Sequence, residues 1–319
     1  MKKAFKIISI ILVVCIVVSG VVVGVLKKDE INYFYSAMNN ACVALNDGSW
    51  KNAGKTNTAD NAEVESTFVA GKYGGIDFKT TEDVVNYYVE AYNKTKAKTA
   101  SYIDDQGNPQ TYYAMLGTEE LKINSVLVEG KENSIINGLV PSVVDSLFSP
   151  NVYGLPPCAN RDPSLDVDEN SESMQTSRLK AEDIKNCSVK DNGDGTITVT
   201  LVPTDVEMSH KGLDSQGKVF NTLGAIDKTV DSISVLSWAS GTTAENCKVL
   251  YSKSTAVAKI DTASGEIVEA DYNVNIDINV QHANVAILQD KNASLNISYK
   301  QHFPADDQYM MDARGIKRG

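Results

Sequence analysis

The stretch Val268-Glu269-Ala270-Asp271-Tyr272-Asn273-Val274-Asn275-Ile276-Asp277-Ile278-Asn279-Val280 alternates apolar and polar side chains without a break. Successive side chains of a strand point to opposite faces, so this segment predicts one strand with a buried face and a wet face. Such alternation belongs to antiparallel sheets, because parallel strands covered on both sides read as unbroken apolar runs. Residues 293–303 repeat the pattern, with Ala293, Leu295, Ile297, Tyr299 and Phe303 on one face. Upstream, a strand over 247–260 is joined to 266–280 by Asp261-Thr262-Ala263-Ser264-Gly265. Cys187–Lys190 and Thr196–Val202 flank Asp191-Asn192-Gly193-Asp194-Gly195, a strong hairpin signal. The C-terminal half therefore reads as an antiparallel sheet whose inner face needs a cover.

Helical segments supply that cover. Thr80 with Asp83 forms a capping-box pattern ahead of Val84, Val85, Tyr88, Val89 and Tyr92, which fall on one helical stripe. A second helical region is expected over 132–148, interrupted by Pro141. Short strands are expected at 99–103, 110–116 and 121–128, and a connection with some helical character at 217–236. The fold class that follows is α+β: a curved, half-barrel-like antiparallel sheet covered by helices.

From Ile7 to Leu26 the chain carries 20 uncharged, mostly apolar residues, enough for one helix across a hydrocarbon core of roughly 30 Å. Lys2, Lys3 and Lys6 precede it, which predicts an N-terminus inside and the bulk outside. The apolar run is too long for a cleaved signal peptide, and Cys15 follows Val14 rather than the small residue a lipid-modified cysteine would need. An uncleaved signal anchor is expected, placing the protein at the cell membrane as a single-pass chain. Helical spacing continues over 31–45, and 46–76 reads as a polar linker. The expected organisation is tail and anchor over 1–28, membrane-proximal helix and linker over 29–79, ectodomain over 80–303 and tail over 304–319.

The formal net charge of −11 averages two unlike parts: five of the 30 basic residues and none of the 41 acidic ones precede Asp29, leaving −16 beyond the anchor. Such a surface argues against nucleic acid, whose phosphates select clustered Lys and Arg. It would also be repelled by anionic lipid and cell-wall polymers.

Signals for chemistry are sparse. Asp166-Val167-Asp168-Glu169-Asn170 offers oxygens at the first, third and fifth positions of a calcium loop. Ser171 and Ser177 replace the glycine and bidentate glutamate such a loop requires. His210, His282 and His302 are scattered, and no two cysteines stand in a zinc-binding spacing, so no metal or cofactor is expected. No nucleophile elbow is present, and neither Ser177-x-x-Lys180 nor Ser215-x-x-Lys218 is accompanied by the other boxes of penicillin-binding enzymes. Cys42, Cys158, Cys187 and Cys247 lie on the exported side and permit three pairings, of which Cys187–Cys247 with Cys42–Cys158 is the expected one.

Residues 80–97, 189–201 and 258–272 together resemble uncharacterised exported proteins of Gram-positive anaerobes. These are similar in turn to the half-barrel lipoprotein and lipid-carrier superfold, in which helices plug a curved antiparallel sheet. The resemblance implies an apolar ligand pocket and no catalytic residues; the unlipidated N-terminus departs from it. The leading functional expectation is a non-catalytic, membrane-anchored extracellular binding module. A hydrophobic ligand would sit between sheet and helices, against Tyr88, Tyr92, Tyr272, Ile276, Tyr299 and Phe303. The alternatives are a structural or interaction ectodomain with a filled core, meeting an envelope protein through its acidic face or the loop over 150–178, and a cell-wall hydrolase or transferase.

Overall fold

The computed structural model describes residues 67–103, 106–113, 118–132, 155–158, 162–222, 236–285 and 288–304, with Asp231. The expected membrane span over 7–26, the helix over 31–45, residues 133–148 of the helix expected over 132–148, Cys42 and the tail beyond 304 lie outside the described residues, and Glu132 ends a strand instead. No helix among the described residues is long and apolar enough to cross a membrane.

In chain order the described strands are β1 (Gly71–Tyr73), β2 (Ile76–Phe78), β3 (Thr99–Ile103), β4 (Pro109–Tyr113), β5 (Thr118–Val128), β6 (Lys131–Glu132) and β7 (Ile184–Asp191). They continue as β8 (Thr196–Pro203), β9 (Val206–Glu207), β10 (Leu236–Trp238), β11 (Cys247–Tyr251), β12 (Thr255–Asp261), β13 (Glu266–Val285) and β14 (Leu288–Phe303). The α-helices among the described residues are α1 (Thr81–Lys96) and the single turn α2 (Thr243–Asn246). The protein is thus an α+β molecule dominated by an open antiparallel sheet, in the order β6-β5-β14-β13-β12-β8-β7.

β13 is the spine. Its 20 residues span roughly 66 Å at a strand's ordinary rise. β14 runs along one edge of it, while β10, β11 and β12 tile the other edge end to end. β8 and β9 continue that tiling one strand further out. The inner face carries Ala270, Tyr272, Val274, Ile276, Ile278 and Val280, all buried as their alternation predicts.

Two features depart from the sequence reading. The alternation fails at its first residue: Ile260 pairs with Ile267 and Lys259 with Glu269, so Val268 is an inserted residue in a β-bulge. Ile267 is therefore buried and Val268 is exposed. Gly71–Phe78, taken above for the end of a linker, instead forms the β1–β2 hairpin, and Phe78 belongs to the core. Gly74 at its turn has φ +56°, and an added Cβ would stand 2.6 Å from Ile197 Cγ2.

α1 begins where the capping pattern placed it. Thr80 Oγ1 accepts from the Asp83 N–H, and Asp83 Oδ2 accepts from the Thr80 N–H at 2.9 Å and the Lys79 N–H at 2.8 Å. Those two backbone donors hold the Asp83 carboxyl below its ordinary pKa. The helix lies on the inner face, with Val84, Val85, Tyr88, Ala91 and Tyr92 buried. Thr95 Oγ1 accepts from the Ile267 N–H at 2.8 Å, tying its last turn to the start of β13.

The expected Cys187–Cys247 disulfide does not form. Cys187 pairs through Leu201 and Ala256 to the level of Tyr272 on β13, whereas Cys247 pairs with Val280, eight residues further along. That offset alone is roughly 26 Å, against about 7 Å between the Cα atoms of a bridged pair. Cys158, Cys187 and Cys247 are all buried, and the expected Cys42–Cys158 pair reaches outside the described residues through Cys42.

Candidate functional site

The residues expected to line a cavity share the inner face, and only part of the set converges. Tyr88 and Tyr272 touch through their hydroxyls, 3.3 Å apart. Tyr92 donates to the Leu155 carbonyl at 3.3 Å, and Phe220 packs edge-on against Tyr272. Burial pushes the Tyr88 hydroxyl up to about 12 and holds those of Tyr92 and Tyr272 well above 10. Ile276, Tyr299 and Phe303 lie on the same face; Tyr299 pairs with Val274, and Phe303 with Ala270. Under α1, then, the tyrosines fill the space with one another.

The described parts of the loop over 150–178, residues 155–158 and 162–178, expected to meet a partner, are held from within. Lys96, at the last turn of α1, is 1% exposed and donates to three acceptors: the Pro157 carbonyl at 2.9 Å, the Met174 carbonyl at 2.7 Å and Asp166 Oδ2 at 3.1 Å. Asp166 is itself fully buried. Arg178 reaches Asp168, Glu172 and the Gly212 carbonyl. Burial alone would raise the Asp168 carboxyl, but Arg178 and the N–H groups of Glu172 and Asn170 hold it below its ordinary pKa. The first and third oxygens of the calcium-like run are thus each neutralised by a cation. Glu169 faces His210 Nδ1 at 2.7 Å.

The outer face of the sheet carries the polar halves of the alternating strands. Asn296 Nδ2 donates to Asn275 Oδ1 at 3.0 Å and Asp277 Oδ1 at 2.6 Å, and Asn124 Nδ2 donates to Asn296 Oδ1 at 2.6 Å and Ser298 Oγ at 2.5 Å. Asn124 is the inserted residue of a bulge in β5, since Asn296 pairs with Ser125 and Ile297 with Ile123. Asn275 and Ser298 are buried within this lattice despite facing away from the core. Toward the hairpin tip, a shallow hollow of about 140 Å³ is lined by Asn279, Gln281, Asn292 and Ser294, among others.

At the opposite end of the same face, Glu269, Asp271 and His302 come together, with ligand atoms all within 4.8 Å of one another. Asp271 and His302 are direct cross-strand partners, and His302 Nδ1 lies 2.8 Å from Asp271 Oδ1. Glu269 precedes Asp271 by two residues and so shares its face. Sequence reading missed this group because the histidines look scattered along the chain. The signal was the register of the β13–β14 hairpin, which sets 271 opposite 302.

Comparison with known protein families, curated proteins and solved structures finds no match to this chain.

Proposed function

We propose that the protein is a non-catalytic, membrane-anchored interaction module with a filled core, which meets a polar or basic partner through the outer face of its sheet. The contact of Tyr88 with Tyr272 between α1 and β13 carries this reading, because a carrier for an apolar ligand would need that space. The ordered amide and carboxylate lattice of the outer face supports it further, since a purely solvated face has no need to cross-link its side chains. In this reading residues 7–26 anchor the chain, the acidic bulk stands outside, and the sheet has the half-barrel curvature of the resemblance with a plugged interior.

A photoactivatable fatty acid presented to the full chain in membranes tests it. Label confined to 7–26 is expected. Label on the peptides containing Tyr88 or Tyr272 would overturn the filled core and restore the carrier.

A further inference from the structure

We propose that Glu269, Asp271 and His302 bind a first-row divalent transition-metal ion, with Zn2+ as the probe. The inference stands on different residues from the proposed function and goes beyond it. Zinc and its neighbours bind imidazole nitrogen and carboxylate oxygen at about 2.0–2.2 Å, so ligand atoms around one ion lie roughly 3–4.4 Å apart. The three groups already meet that requirement to within a small side-chain rotation, at 2.8 Å for His302 and Asp271 and within 4.8 Å for the whole set. The backbone is fixed by strand pairing: Asp271 pairs on both sides, with His302 on β14 and Val257 on β12, and Glu269 pairs with Lys259 on β12. Ligands held on paired strands lose little freedom when an ion arrives.

Charge supplies an independent argument. Glu269 and Asp271 set two carboxylates side by side. Lys259, directly across from Glu269, is turned to Asp194 at 3.2 Å instead. Elsewhere in the molecule the carboxylates of Asp166, Asp168 and Asp183 are met by Lys96, Arg178 and Lys218. Among the described residues the Glu269 carboxylate has no such cation, and a bound ion would take that place. The imidazole decides the class of ion: Ca2+ and Mg2+ take oxygen ligands, whereas nitrogen with two carboxylates suits Zn2+ and its first-row neighbours. Three protein ligands leave the remaining positions to water.

The test is calorimetric titration of ZnCl2 into the full chain in detergent, stripped of metal and made without a polyhistidine tag. One saturating site per chain is expected. His302→Ala and Glu269→Gln should each weaken binding by about tenfold or more. His282→Ala, which disturbs a His–Asp pair at the other end of the hairpin, should leave binding unchanged. Excess CaCl2 should not displace the zinc. All three substituted side chains sit at the surface, so metal-free melting curves should overlay the wild type and exclude misfolding. A wild-type titration that does not saturate below about 1 mM, or a His302→Ala or Glu269→Gln chain that binds within about twofold of wild type, overturns the assignment.

Discussion

Replacing Lys96 with methionine asks the most of this structure. The substitution keeps the length and packing of the side chain but removes the ammonium, leaving the fully buried Asp166 carboxylate without its cation. The Pro157 and Met174 carbonyls lose a donor at the same time. Removing one partner of a buried ion pair costs about 3–5 kcal/mol, because the remaining charge stays desolvated. At about 2–4 °C per kcal/mol for a domain of this size, melting should fall by roughly 6–20 °C. Lys96→Met/Asp166→Leu, which removes both charges, should recover a large part of the loss, since apolar replacements of similar volume are often tolerated where a single deletion is not. Thermal unfolding of the full chain, followed by near-UV circular dichroism, reads both. A Lys96→Met protein melting within about 2 °C of wild type would refute the reasoning, as would a double variant no more stable than the single one.

Other expected outcomes follow from single contacts. Gly74→Ala should lower stability by about 1–3 kcal/mol in the same melt, because the new methyl meets Ile197 and Thr262 side chains at 2.6 and 2.7 Å on a left-handed backbone. Tyr88→Phe should cost about 1 kcal/mol by stranding the Tyr272 hydroxyl, whereas Tyr88→Phe/Tyr272→Phe should lie closer to wild type. The Asp168 carboxyl is held below its unfolded pKa, so its contribution is present above about pH 4 and lost as pH falls through the folded value. Asp168→Asn should therefore flatten the acid limb of a stability–pH curve. Cys187 and Cys247 should resist alkylation in the native protein and both react after unfolding without reductant; a disulfide-linked mass would contradict their separation.

Local signals were legible in the sequence, and long-range ones less so. Thr80 and Asp83 announced α1, and the Gly-Asp turn announced the β7–β8 hairpin, because both depend on residues a few positions apart. The buried ion pair left half a signal. Lys96 continues the stripe of Val84, Tyr88 and Tyr92 at a spacing of four, which places a cation where only a partnered one is stable, but its acceptor lies 70 residues away. The loop over 150–178, with its acidic run, reads as a partner-facing surface for the same reason. The β1–β2 hairpin was hidden by its short strands around Gly74 and Gly75, which read as linker. The bulge at Val268 leaves no trace in the sequence, since both faces there carry apolar residues. Among the candidate ligands, Glu269 and Asp271 were visibly on one face, while His302 joined them only through pairing.

The tip of that hairpin has a consequence for how the chain tolerates insertion and deletion. Between the pairs Val285↔Leu288 and Val280↔Ala293, Ala283 pairs with Lys291, so one extra residue stands on β13 and one on β14. His282 and Asp290, both in left-handed conformation, mark the two irregularities and bond to each other at 2.8 Å. The irregularities offset one another, and the arms between the flanking pairs have equal length. Either arm can therefore lose one residue here by surrendering its own bulge, leaving Asp271 still opposite His302 and every inner-face side chain still inward. A single deletion near Asn275 has no such reserve and would turn half the strand inside out. The hairpin tip is thus the part of the spine where length can vary between related sequences without cost to the core.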